Sequence, residues 1–327
     1  MRNSTFKSLA SKVLFAMGCC SLICCLTACS GSTSRQTLLG CVPSSSYAVL
    51  AVNWKTVSKD PDLKRISKGG EIEKIFEQLG LDSQTVNEFA VYGDPRGSAQ
   101  TSNGLIVGGS FNANEMVNEL TKRGWTEQSF AGRRTYVNPK DASWLATFDK
   151  NLFVLGTESG VKDAISAKTK SEHRFTSNPA YKVLAAHFEG KQYPILMMVA
   201  LPEASQEMAN VAVQLTSTVM DLAGVGPLGD LLNKIGYAKG LGCAISHKDE
   251  SFPVAVSAVM KDEDSAKFVS GALNLLKNLS GMVSKNYVSQ TDPDAARAIQ
   301  TMSVERSREV VSVKMTMSRR DMGAMNR

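Results

Sequence analysis

Histidine is the side chain best suited to moving protons near neutral pH, and the chain holds three, at His173, His187 and His247. None belongs to HExxH or another metal-ligand spacing. His173 sits in the polar stretch Ser171-Glu172-His173-Arg174, and His247 adjoins the turn Lys248-Asp249-Glu250. His187 falls at the end of a helix expected after Asn178-Pro179, where a cationic side chain suits the helix dipole. The acid pairs Asp60-Pro61-Asp62 and Asp292-Pro293-Asp294 have the composition of metal ligands or an acid/base couple. Helix starts account for them more simply, with aspartate as N-cap and proline at the first helical position. No G-x-S-x-G elbow or penicillin-binding-type Ser-x-x-Lys set is present. Gly108-Gly109 and Gly240-Leu241-Gly242 do not extend to a phosphate-binding loop, so they read as close backbone packing within strands.

The strongest chemical signal lies at the beginning of the chain. Arg2, Lys7 and Lys12 are the charged residues before Cys29, and Val13 to Leu26 is uncharged and mostly apolar. That is a basic n-region followed by the hydrophobic core of a secretory signal. At about 14 residues the run is shorter than the roughly 20 that a membrane-spanning helix needs. It ends in Leu26-Thr27-Ala28-Cys29, which resembles the lipobox of bacterial lipoprotein precursors. The resemblance implies cleavage between Ala28 and Cys29, a diacylglycerol thioether on Cys29 and an N-acyl chain, such as palmitate, on the new amino terminus. It therefore implies a membrane partner through the lipid anchor, a place in the cell envelope outside the cytoplasm, and the outer membrane if the cell is Gram-negative, since Ser30 rather than Asp follows the cysteine. Two or three acyl chains hold durably where one does not.

Seven cysteines reduce to two once the leader and Cys29 are set aside, namely Cys41 and Cys243. Outside the cytoplasm they form either one long-range disulfide or two buried thiols. Removing the leader takes three positive charges with it and leaves 34 basic against 31 acidic residues. A net charge near +3 gives no reason to expect nucleic acid.

These residues must be carried by a folded body, because 43% of residues are hydrophobic and 21% charged, which excludes disorder as the main state. Residues 29–46 form the lipidated cysteine and a serine-rich segment, expected as a flexible tether. Beyond it two similar units follow, 47–190 and 191–318, with a basic tail at 319–327. Each opens with tyrosine and a short apolar run, at Tyr47 and at Tyr193. Each then shows an i, i+3, i+4, i+7 stripe closed by glycine: Ile72, Ile75, Phe76, Leu79 with Gly80, and Leu228, Leu231, Leu232, Ile235 with Gly236.

Strand pairs at Glu88–Tyr92 with Gly104–Phe111, and at Leu241–Ile245 with Phe252–Met260, each lead into a helix. Asn112 with Glu115 caps the first of these helices, and Asp262 or Asp264 starts the second. Further strands are expected at Thr135–Val137, Trp144–Phe148, Leu152–Leu155 and Val311–Ser318. The fold class expected is α+β, two similar units of helices packed on antiparallel sheet.

Apolar residues in excess on two helices, among them Met208, Val219, Phe268 and Leu276, suggest either packing between elements or the lining of an apolar site. The function expected is a non-catalytic, lipid-anchored binding or scaffolding module whose partner is an envelope protein or a lipid. The alternative is a carrier or chaperone for a hydrophobic ligand, and an envelope enzyme with a site gathered from distant segments ranks third. No cofactor is expected beyond the covalent lipid.

Overall fold

A computed structural model describes residues 32–66, 69–93, 102–188, 193–200, 238–283 and 301–318. The chain forms two compact units that divide between Pro179 and Ala180. Both are α+β, with helices on antiparallel strands.

In the first unit the strands are β1 (Ala48–Val52), β2 (Val86–Gly93), β3 (Gly104–Gly109), β4 (Thr126–Phe130), β5 (Arg133–Val137), β6 (Trp144–Asp149) and β7 (Leu152–Gly156). They pair in the order β1-β2-β3-β7-β6-β5-β4. Its helices are α1 (Ser32–Leu39), α2 (Trp54–Val57), α3 (Pro61–Ile66), α4 (Gly69–Gln78), α5 (Ala113–Lys122) and α6 (Glu158–Thr169).

Successive side chains on a strand point to opposite faces, so the register sorts this core. The aligned row Val52, Phe89, Val107 and Phe153 lies on one face. There Phe89 meets Trp54 of α2 and Phe76 of α4, with ring centroids 5.9 and 6.1 Å apart, and Phe111, just ahead of α5, meets Phe153 at 5.4 Å. A row three positions along, Val49, Tyr92, Gly104, Gly156 and Trp144, lies on the opposite face, which α1 and α6 cover.

Local signals set the ends of these helices. The Asp60 carboxylate accepts from the backbone N–H of Asp62 and Leu63, both at 3.0 Å, as expected of an N-cap ahead of proline. Asn112 accepts from Asn114 N–H and donates to Glu115 at 2.7 Å. After α4, Gly80 takes φ +74°, and the Leu81 N–H reaches back to Phe76 O at 2.9 Å. That is the 6→1 bond of a helix closed by a left-handed residue.

The first expectation to be corrected is the tether. Residues 32–46 are folded: Ser32–Leu39 is helical, and Leu38, Leu39, Cys41 and Val42 are buried. The Phe175 N–H donates to Val42 O at 2.8 Å, Ser44 N–H to His173 O at 2.7 Å, and the Ser45 hydroxyl to Asp163 at 3.1 Å. Serine content suggested a solvated chain, but four apolar side chains within five positions gain more from burial, at about 1.5–3 kcal/mol for each large one, than a leash would.

The second unit holds α7 (Pro179–Phe188), β8 (Ile195–Ala200), β9 (Ala238–Ile245), β10 (Ser251–Met260), α8 (Glu263–Val283), β11 (Ser303–Ser307) and β12 (Val310–Ser318). Its strand order is β8-β9-β10-β12-β11. The division at 179/180 therefore falls about one helix earlier than the expected 190/191, and α7 goes with the second unit because it packs on that unit's sheet. Asp262 caps α8 through the Ser265 N–H at 2.7 Å. Ala266 and Val269 of α8 share a core with Ala238, Met260 and Val311. The expected helix at Leu228–Gly236, the Asp292 pair and the tail at 319–327 lie outside the described residues.

Among the described residues no helix is long and apolar enough to cross a membrane.

Candidate functional site

A buried row of polar side chains lies in the second unit, beneath α7. Gly240 and Gly242 of β9 leave room for that helix. A Cβ at Gly242 would stand 2.5 Å from the Phe188 ring, and one at Gly240 would stand 3.2 Å from Ala180 Cβ. Beside Gly242 in register is Ser257 of β10, and beside Ser257 is Ser312 of β12. The two hydroxyl oxygens are 2.9 Å apart, and Ser312 Oγ is hydrogen-bonded to His187 Nε2 of α7, also at 2.9 Å.

Three neighbouring strands thus contribute a row of small residues, and the helix settles low enough for its last turn to reach it. Ser257 and Ser312 are buried and His187 is half-buried. Such a line can pass a proton between hydroxyls or fix the helix to the sheet, and its enclosed serines give it the second role. At the next positions the Phe188 and Tyr193 rings meet edge-on at 5.8 Å. Burial pushes the Tyr193 phenol up from its ordinary range, and the nearby Glu305 carboxylate adds to this. Glu305 lies beside Ser312 in register and accepts from Lys314 at 2.6 Å.

His187 does end its helix as expected, but its partner is a side chain across the sheet as well as the dipole. His173 closes a 3-10 turn and is exposed. His247 stacks on Phe252 at 4.6 Å and 13°. Among the described residues no three His, Cys, Asp or Glu side chains are grouped to hold a metal ion.

Of the residues singled out in the sequence, Ala28, Cys29, Met208 and Val219 lie outside the described residues, as does the side chain of Leu276 in α8. Phe268, on the same helix, is 46% exposed, and Leu275 is 59% exposed.

Cys41 and Cys243 are both buried free thiols, which corrects the disulfide alternative. Each is enclosed within its own unit: Cys41 donates to Thr37 O at 3.3 Å, while Cys243 sits in β9. Burial pushes Cys41 up to about 11, against the pull of Lys168 and Arg174, and pushes Cys243 up to about 12.

A second polar cluster holds the start of α6 in the first unit. Thr157 caps the helix by accepting from Gly160 N–H at 3.1 Å, and its own N–H donates to Asn103 O at 3.0 Å. The buried Tyr92 hydroxyl donates to Gly160 O at 2.8 Å. Desolvation, with Asp163 and Cys41 adding, raises the Tyr92 phenol well above its ordinary value. On the same helix Lys162 lies 5.0 Å above the Trp144 ring and 5.1 Å above that of Phe130, while pairing with Glu158 at 2.6 Å.

Sequence reasoning missed both clusters. The available signal was serine at strand positions 257 and 312, flanked on both sides by apolar residues, and glycine recurring at 93, 104, 156 and 160.

No family model matches the chain, and no curated protein matches it. Among solved structures it is similar to TP0453 in crystal forms III, IV and I, at TM-scores of 0.43, 0.45 and 0.45. The identities are 10%, 10% and 11%, and each match covers 88% of this chain and 96% of the other.

Proposed function

We propose that the protein is a lipid-anchored component of a bacterial cell envelope, a non-catalytic binding or scaffolding module held to its membrane by acyl chains on Cys29. The observation that carries this reading is Leu26-Thr27-Ala28-Cys29, placed directly after a basic and then an apolar leader. The polar clusters described above serve packing, which suits a module whose work is done on its surface.

The body reads as a duplication. In both units a helix precedes the first strand, the second and third strands form a hairpin-like pair, a helix follows, and the last strand returns beside the third. The orders β1-β2-β3-β7-β6 and β8-β9-β10-β12-β11 support this; the first unit adds β5 and β4 at its edge.

The test is expression of Cys29→Ala beside the natural chain with an alkyne-bearing fatty acid. The natural protein should take up label and fractionate with membranes, and the variant should accumulate as an unlabelled precursor. Equal maturation and equal labelling of the two would overturn the reading.

A further inference from the structure

We propose that the lipid surface seats directly against the α1 side of the first unit, so that α1 lies at headgroup depth and the body does not stand off on a leash. This inference rests on the Cys29 anchor.

The length of chain between anchor and fold carries it. Cys29 and Ser32 are three peptide steps apart, so their Cα atoms are separated by at most about 11 Å. The polar zone of one leaflet is itself roughly 5–8 Å deep. Gln36, four residues into α1, adds about 6 Å of helix rise. It is exposed and thus stays within about 17 Å of the anchored Cα whichever way the helix points.

α1 does not swing free of the body. Leu38 is buried and packs over Gly108, with Leu38 Cδ2 lying 3.5 Å from where a Cβ on that glycine would be. Val42, Ser44 and Ser45 tie the following turn to Phe175, His173 and Asp163. The opposite face of the same sheet carries α5, whose Lys122 side chain is 71% exposed. A helix layer is about 10 Å thick, so α1 and α5 stand roughly 20 Å apart across the sheet, more than the about 11 Å of chain between Cys29 and Ser32 can span. Three residues of chain cannot turn that face to the membrane.

The experiment uses the full lipidated chain in phosphatidylcholine–phosphatidylglycerol vesicles doped with a nitroxide-headgroup lipid. A fluorophore is attached at Gln36→Cys, at Thr37→Cys or at Lys122→Cys; the natural Cys41 and Cys243 are buried and do not compete for the label. Quenching at 36 and 37 should exceed that at 122 several-fold. A twenty-residue Gly-Ser spacer inserted after Ser30, with a span of about 25 Å, should erase the difference.

Equal quenching at all three sites, or a difference that the spacer leaves intact, would overturn the inference. Mass measurement on the same protein separates the two ways of failing. With lipid on Cys29, equal quenching defeats the close seating alone. With no lipid there, the anchor itself is wrong and the seating falls with it.

Discussion

Leu38 rests on Gly108, across the face of a sheet to which the sequence around Leu38 gives no sign of belonging. The glycine leaves the space and the leucine fills it, at ordinary van der Waals distance from where a Cβ would be. Leu38→Ala should therefore cost about 2–5 kcal/mol, as large-to-small changes in packed cores do, read as a lower midpoint in chemical denaturation. A change near zero would mean that residues 32–42 are a leash after all. Gly108→Ala should be tolerated, while Gly108→Leu should push α1 off the sheet.

Gly160 marks a tight approach of helix to backbone in the first unit. A Cβ there would meet the Asn103 carbonyl oxygen at 2.2 Å, and that atom is backbone, held by its bond from the Thr157 N–H. Gly160→Ala should destabilise the fold by the upper end of the about 1–3 kcal/mol typical of overpacking, or beyond it. Thermal unfolding of the variant measures this; a midpoint equal to that of the natural chain would contradict the described packing.

Ser312 makes two of the hydrogen bonds under α7 and Ser257 makes one of them. Ser312→Ala should thus cost more than Ser257→Ala, by about 1–3 kcal/mol for the buried groups it strands. The double variant should cost less than the sum of the two singles, because neither hydroxyl is then left alone. A double-mutant cycle in urea gives the coupling, and strict additivity would argue that the two serines do not touch.

The two buried thiols make stability depend on alkaline pH. Their folded-state values, about 11 for Cys41 and about 12 for Cys243, lie above the ordinary 9.0. Above pH 9 the unfolded chain releases these protons and the folded chain keeps them. Fewer protons are then bound in the unfolded state, and stability falls as pH rises. The contribution is complete below pH 9 and is lost as pH approaches 11 for one thiol and 12 for the other. The slope is about 1.4 kcal/mol per pH unit for each thiol. Urea midpoints from pH 8 to 11 should fall for the natural chain and fall less steeply for Cys243→Ala; parallel curves would place the thiol in solvent.

Much of the frame was legible because single residues carried the decision. Asp60, Asn112, Asp262 and Gly80 each mark a helix end by a bond or a dihedral available to few other residues. The turn Asp149-Lys150-Asn151 joins two strands found as expected, β6 and β7. What escaped the sequence did so for physical reasons. β4 reads Thr-Glu-Gln-Ser-Phe and is an exposed edge strand, so neither face imposes an apolar alternation. α6 buries Gly160, Ala164 and Ala167 beside Val161 and Ile165, so small residues that allow close approach thin out its apolar stripe.

The second unit's sheet is covered by α7 on one face and α8 on the other, so alternation along β12 did not say which side is inside. Ser312 stands between Val311 and Val313, the pattern of a solvent-facing residue, and lies under a helix.

The anchor is the claim on which address and partner both depend. Trypsin cutting after Arg35 should release the amino-terminal peptide of the mature protein as Cys29-Ser30-Gly31-Ser32-Thr33-Ser34-Arg35, and mass spectrometry of that peptide from native membranes tests the account directly. The account predicts a peptide beginning at Cys29 whose mass is raised by a diacylglycerol thioether. A peptide that begins elsewhere, or begins at Cys29 with a free thiol, would contradict it.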